Sequence, residues 1–105
     1  MHEAQCATPE WQAFWTLIEL PVFRGAKREM IMDYVDETHA TIEWSALLRD
    51  TSSWSHGEQV LLRVAYALFT DAGTLPIQEL RVLDPTLGAA VLKSIAQRYW
   101  PDPDY

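Results

Sequence analysis

The side chains of this chain best suited to chemistry lie together at Ser55, His56 and Glu58. A serine beside a histidine is a candidate nucleophile and base, and a glutamate can act as a general base in a pocket. Ser55 and Glu58 also have the Ser-x-x-Glu spacing of a capping box, in which each side chain bonds the other residue's backbone amide. Adjacent residues at a helix start project in different directions, so Ser55 and His56 need not meet. We therefore predict structural capping, with a small enzyme using Glu58 or His56 as a less favoured alternative.

The same segment resembles the signature helix of ATP-binding-cassette ATPases. The resemblance covers WSHGEQ at residues 54–59 and the run LRVAYAL at 62–68, and LDPT at 83–86 is similar to the segment that comes after the signature helix in that family. It implies a nucleotide-binding protein. Such a site also needs a glycine-rich phosphate loop ending in Gly-Lys-Ser/Thr, and the sequence contains none. We therefore predict neither ATPase activity nor a cofactor.

A histidine among acids is the nearest approach to a metal site. Asp33 and Glu37 are four residues apart and would share a helix face, with Asp36 and His39 close by. Zinc sites draw on several cysteines or histidines at characteristic separations, and this spacing matches none of them. We predict a solvated acidic surface and no metal.

Charge and composition narrow the class of protein. Fifteen acidic against eight basic side chains give a net charge of −7, which repels nucleic-acid phosphates and anionic lipids and disfavours direct nucleic-acid binding. Cys6 is the only cysteine, so no intramolecular disulfide can form. Residues 1–8 lack the basic start and apolar core of a signal peptide. The apolar run at 64–70 is far shorter than the roughly 20 residues of a membrane span. We expect a cytoplasmic protein that does not bind membranes.

Three stretches have the apolar spacing of amphipathic helices. The first comes after Thr8, whose hydroxyl we expect to cap it. The second comes after the capping box, with Gly73 expected in the left-handed conformation just past its end. The third opens at Asp84 and Pro85, a cap followed by the proline favoured at a first helical position. The predicted inward-facing residues are Trp11, Phe14, Trp15 and Ile18 in the first helix, Val60, Leu61, Val64, Ala65, Leu68 and Phe69 in the second, and Leu87, Val91, Leu92 and Ile95 in the third.

The stretch between the first two of these helices has two interpretations. Met30, Met32 and Tyr34 alternate as in a strand, whereas Met30, Ile31 and Tyr34 also fit one face of a helix. Good helix formers at 26–30 favour the helix, and a strand pair within residues 28–41 is the alternative. After it, Thr41 is predicted to cap a short helix. A further short helix is predicted within residues 74–83.

The aromatic residues give the functional lead. Five tryptophans are more than a domain of 105 residues easily buries whole. Some rings should therefore lie at the surface, and Trp100 and Tyr105 are expected to be the most exposed. Tryptophan and tyrosine are enriched at the centres of protein interfaces. Half-buried rings around a thin core are an equally favoured explanation.

These observations predict one all-α domain spanning residues 1–105, a compact bundle of four to six short helices with flexible tails at 1–7 and 101–105. The leading function is a non-catalytic acidic protein that contacts a protein partner or a second copy of itself. The alternative is a nucleic-acid mimic that blocks a basic groove, using Asp33, Asp36, Glu37 and Glu43. The predicted interaction surface comprises Trp44, Trp54, Trp100, Tyr105, Asp33, Asp36 and Glu37.

Overall fold

The structure, a computed structural model, describes residues 8–72 and 74–101. Those residues form a compact arrangement of short helices with one small hairpin, which confirms the predicted all-α bundle. Apart from Pro101, the two predicted tails lie outside the described residues, as does Gly73. The elements are α1 (Pro9–Ile18), a first 3₁₀ helix (Pro21–Phe23), α2 (Ala26–Met32), β1 (Val35–Asp36), β2 (Thr41–Ile42), α3 (Trp44–Asp50), α4 (His56–Thr70), a second 3₁₀ helix (Ile77–Val82) and α5 (Pro85–Tyr99).

Both ends of α1 differ from a simple capped helix. Thr8 occupies the N-cap position in an extended conformation, but its side chain makes no capping hydrogen bond. The helix start rests instead on Pro9, whose missing amide N–H removes one donor that would need a partner. At the other end Arg28 donates to the carbonyl oxygens of Ile18 at 3.1 Å and Leu20 at 3.1 Å. A side chain of α2 thus supplies a donor to the last carbonyl of α1 and to the Leu20 carbonyl, which also accepts from the Phe23 amide.

The start of α4 agrees with the sequence prediction, and the prediction for Gly73 beyond its end lies outside the described residues. Ser55 Oγ accepts from the Glu58 amide at 3.2 Å, and Glu58 Oε1 accepts from the Ser55 amide at 3.1 Å. The predicted capping box is therefore present. The helix ends at Thr70, and Asp71, with φ of 57°, adopts the left-handed conformation. Aspartate tolerates this region better than most side chains.

Residues 26–42 combine both interpretations of the ambiguous stretch. The helix α2 ends at Met32, and the next element is an antiparallel hairpin in which Val35 pairs with Ile42 and Asp36 with Thr41. The hairpin alternative is thus confirmed, although its second strand ends one residue beyond the predicted range. The prediction that Thr41 caps a helix is wrong, because Thr41 lies in β2 and Glu43 precedes α3. A β-branched side chain suits the extended backbone.

The core is formed mainly where α1 packs against α4 and α5. Aromatic rings fill its centre: the Phe14 ring lies 5.9 Å from that of Trp44, and the Trp11 ring lies 4.8 Å from that of Phe69, both edge to face. Edge-to-face contacts are a favoured geometry for such pairs. The fully buried side chains include Phe14, Leu17, Ile18, Phe23, Ile31, Leu47, Val60, Leu61, Leu62, Val64, Leu68 and Val91.

None of the helices in the described ranges has both the length and the apolar character needed to cross a lipid bilayer.

Candidate interaction surface

The outward side of α5 carries apolar residues where charged ones would be expected. Asp84 Oδ1 accepts from the Leu87 amide at 2.8 Å and starts the helix as predicted. Val91 and Ser94 then face the core and are fully buried. On the opposite side Ala89, Leu92, Ala96 and Tyr99 are exposed at spacings of three and four residues, and Trp100 comes directly after them. We call these five residues, Ala89, Leu92, Ala96, Tyr99 and Trp100, the α5 outer face.

Exposure on this face is high for its large side chains. Leu92 is 68% exposed, Trp100 75% and Tyr99 42%. A helix on a protein surface usually places charged or polar side chains on its outer side. A helix with apolar residues all round is instead one that is covered on every side. Among the residues that the structure describes, no other element covers most of the surface of Leu92 and Trp100, so the α5 outer face is an exposed apolar surface.

Two contacts hold the far end of the α5 outer face in place. The Tyr99 hydroxyl donates to Asp71 Oδ1 at 3.0 Å, which connects the end of α5 to the end of α4. The Arg98 guanidinium lies 5.2 Å from the centre of the Tyr99 ring and also donates to the Leu68 carbonyl oxygen at 2.7 Å. A ring held in this way loses less conformational entropy when it makes a contact.

A groove of about 480 Å³ runs beside this face, between α1 and α5. Trp15 and Ala90 contribute apolar surface to it, and Lys93 lines its α5 side. Thr16 Oγ1 donates to Gln97 Oε1 at 2.6 Å across the two helices. The groove is wide and open, so it extends the surface around α5 but does not enclose a small molecule.

The residues first considered for catalysis are engaged in holding the fold together. The Glu58 carboxylate is buried and accepts hydrogen bonds from the Ser55 amide and from Lys27 Nζ. Lys27 also lies 5.7 Å from the centre of the Trp54 ring. Burial acts to raise the pKa of Glu58, but the hydrogen bonds from Lys27 and Ser55 outweigh it, so that its pKa lies below the ordinary value of 4.5. A carboxylate stabilised in its charged form is a weak base.

His56 belongs to a separate ionic cluster on the surface. Its Nε2 lies 2.9 Å from Glu79 Oε1, and Arg63 donates to both oxygens of the same carboxylate at 3.1 Å and 2.6 Å. The hydrogen bonds from Arg63, and then from His56, lower the pKa of Glu79 from 4.5 to about 2. The Ser55 hydroxyl accepts a hydrogen bond from the Glu58 amide and is not part of this cluster. The contacts connect the second 3₁₀ helix to α4 and do not resemble a nucleophile with its base.

The acids considered for metal binding lie along α2 and the hairpin. Asp33 comes directly after the last residue of α2 and Glu37 lies in the hairpin turn, so they do not share the helix face expected from their spacing. Asp36 accepts from the backbone amide of His39 at 3.1 Å and lies 2.7 Å from its ring. Across residues 8–72 and 74–101, no three histidine, cysteine, aspartate or glutamate side chains are grouped as a metal site requires.

The tryptophans of the predicted surface are divided between core and solvent. Trp44 is buried against Phe14 and Tyr66, so it cannot belong to an exposed patch in this conformation. Trp54 is half-buried beneath Lys27. Trp100 is exposed, and Tyr105 lies outside the described residues.

Leu92 is the residue that the sequence interpretation misplaces. Its spacing predicts an inward position beside Val91, but successive residues of an α-helix point about 100° apart, and Val91 and Ser94 occupy the inward side. The exposed alternative is visible in the sequence as the recurrence of Ala89, Leu92, Ala96 and Tyr99 at spacings of three and four. That pattern predicts a second apolar side of the same helix.

Comparison of the chain with protein-family models, with curated proteins and with solved structures gives no significant match.

Proposed function

We propose that this chain is a non-catalytic binding protein that works through direct protein–protein contact, and that the α5 outer face makes the contact. The observation that carries the proposal is the exposure of Leu92, Tyr99 and Trp100 on one side of a helix whose other side is buried in the core. Exposed apolar patches of this kind mark protein interaction sites in soluble domains. Tyrosine and tryptophan are also the residues most often found at the energetic centre of an interface.

The partner surface must itself be largely apolar. Within α5 the charged residues are Lys93 and Arg98, and Arg98 is directed towards Leu68 and the ring of Tyr99. The contact therefore gains its free energy mainly by removing apolar area from water. Lys93, at the edge of the face, is placed to contribute to the polar rim of an interface.

The acidic segment gives weaker support to the alternative of a nucleic-acid mimic. Asp33, Asp36 and Glu43 are exposed, but Asp36 is already engaged by His39 and Glu37 also has an interaction within the chain. A mimic needs several free carboxylates in the positions of successive phosphates. The proposal therefore rests on α5.

The test compares two glutamate substitutions at exposed positions. Leu92→Glu places a charge in the centre of the α5 outer face, and Ser45→Glu places the same charge on the exposed side of α3. Each variant and the wild type are immobilised, and the proteins they retain from extracts of the source cells, including untagged copies of the chain, are quantified. We expect Leu92→Glu to reduce retention of the bound proteins by about tenfold or more relative to the wild type and Ser45→Glu.

Circular dichroism checks that both variants fold, which we expect because Leu92 is largely exposed. If folded Leu92→Glu retains the same proteins in the same amounts as the other two baits, the α5 outer face is not the contact.

A further inference from the structure

Small and large side chains alternate along the α5 outer face, so that the face complements a second copy of itself running in the opposite direction. Along the helix Ala89, Leu92, Ala96 and Tyr99 are small, large, small and large, at spacings of three, four and three residues. Taken from the other end, the order is large, small, large and small at the same spacings. Two such faces laid antiparallel therefore bring each large side chain against a small one, whereas two parallel faces in register do not.

We infer that the partner of this face is a second copy of the chain, bound antiparallel through α5. Leu92 of each copy packs on Ala96 of the other, and the Tyr99 ring packs over the step from Gly88 to Ala89. A twofold axis then passes level with Ser94, midway along the face. The inference rests on the proposed function, since it names the partner of the same surface.

Helix-packing geometry supports this arrangement. Alternating spacings of three and four residues produce the seam along which two helices pack lengthwise, with axes 8–10 Å apart. Alanine at alternate positions allows the closer end of that range. A Cβ added at Gly88 would meet no atom within 4 Å from any other described part of the chain, the helix's own backbone aside, so the surface there has room for the ring. Antiparallel helices also oppose their dipoles favourably.

The absence of acidic residues from α5 permits a second copy at this place. The chain carries a net charge of −7, so two copies repel each other at long range. No aspartate or glutamate lies within α5 itself. The contact therefore brings no acid of one α5 against an acid of the other. Because salt screens the overall repulsion, we expect the dimer to strengthen as the salt concentration rises.

The size of the face predicts a dimer that dissociates on dilution. Ala89 to Tyr99 spans about 16 Å at a rise of 1.5 Å per residue. Two helix faces of this length, with Trp100 at the rim, bury an area at the small end of specific interfaces, below about 1,200 Å² in total. Interfaces of that size belong to weak or transient complexes.

Sedimentation equilibrium of the full chain over a range of protein concentrations tests the association. We expect a monomer–dimer equilibrium that shifts towards dimer with added salt and that Leu92→Glu weakens by about tenfold or more. Ser45→Glu, which adds the same charge, is expected to leave the dimer close to wild type. A wild-type chain that stays monomeric at every concentration overturns the inference. In that case the proposed function still stands if Leu92→Glu loses other proteins in the capture experiment.

Disulfide formation tests the orientation. On a Cys6→Ser background, proteins carrying Leu92→Cys and Ala96→Cys are oxidised separately and as a mixture. In the antiparallel arrangement residue 92 of one copy lies opposite residue 96 of the other. Two residues 92 are offset by about 6 Å along the axis in addition to the gap between the helices, so that their Cα atoms lie at or beyond the separation of about 7 Å that a disulfide spans. We expect cross-linked dimer mainly in the mixture. Efficient cross-linking of either protein alone overturns the antiparallel arrangement.

Discussion

Glu58 shows how a residue with catalytic potential is used for stability. Its carboxylate joins three parts of the fold, since it caps α4 through the Ser55 amide and pairs with Lys27 of α2, which in turn lies over Trp54. A buried carboxylate is costly unless it is paired and hydrogen-bonded. Here both conditions are met.

Substitutions of Glu58 separate its hydrogen-bonding role from its charge. Glu58→Ala removes the cap and the Lys27 partner, and we expect a loss of about 1–2 kcal/mol in the free energy of unfolding. Glu58→Gln keeps an oxygen that can accept from the Ser55 amide, so its loss should be clearly smaller. Urea denaturation measures both, with Ser53→Ala in the exposed loop before α4 as the control. Equal losses for the two Glu58 variants would contradict a capping role.

The ionic cluster around Glu79 attaches the second 3₁₀ helix to α4. The pKa of the Glu79 carboxyl in the folded state, about 2, lies below the ordinary value of 4.5, so folding favours the charged form of Glu79. The stabilisation is fully present above the ordinary value and is lost as the pH falls from about 4.5 through 2.

Thermal unfolding measured between pH 6 and pH 2 tests this attachment. We expect Glu79→Gln to lower the Tm at pH 6, and the difference from wild type to shrink as the pH approaches 2. Glu29→Gln removes the same charge from an exposed position on α2 and serves as the control. If the Tm difference caused by Glu79→Gln is unchanged across this range, the carboxylate does not hold the helix through its charge.

The sequence predicts elements well where a local signal is complete. The capping box of α4 and the Asp84–Pro85 start of α5 are such signals, because all their hydrogen bonds lie within one turn. The hairpin at Val35–Ile42 is less predictable, since each strand has two residues and depends on a partner that local spacing does not reveal. The exposure of Leu92 depends on where α1 and α4 pack around α5. The apolar positions of α5 alone do not show which of its sides those helices cover.

Apolar side chains have opposite roles on the two sides of the bundle. Phe14 lies at the centre of the aromatic core, within 6.0 Å of the rings of Trp15, Trp44 and Phe69. Leu92 lies outside that core, so its contribution to folding is small although its side chain is large.

Two alanine substitutions measure this difference. We expect Phe14→Ala to lower the free energy of unfolding by about 3–5 kcal/mol, because it leaves a cavity among rings that cannot close around it. Leu92→Ala should change it by no more than about 0.5 kcal/mol when measured on dilute monomer. Urea denaturation followed by circular dichroism gives both values. A large loss for Leu92→Ala would show that the side chain supports the fold and would remove the basis for a binding role.

The close packing of α1 on α5 has a consequence for how the chain is made. Thr16 and Gln97 meet across 81 residues of sequence. At about 5–20 residues per second, a ribosome takes roughly 4–16 s to add the 81 residues that separate Thr16 from Gln97. Throughout that interval α1 exists without α5, against which it packs, so the bundle closes only after α5 has emerged. Until then the side of α1 that packs on α5 stays exposed, and chaperones can recognise it.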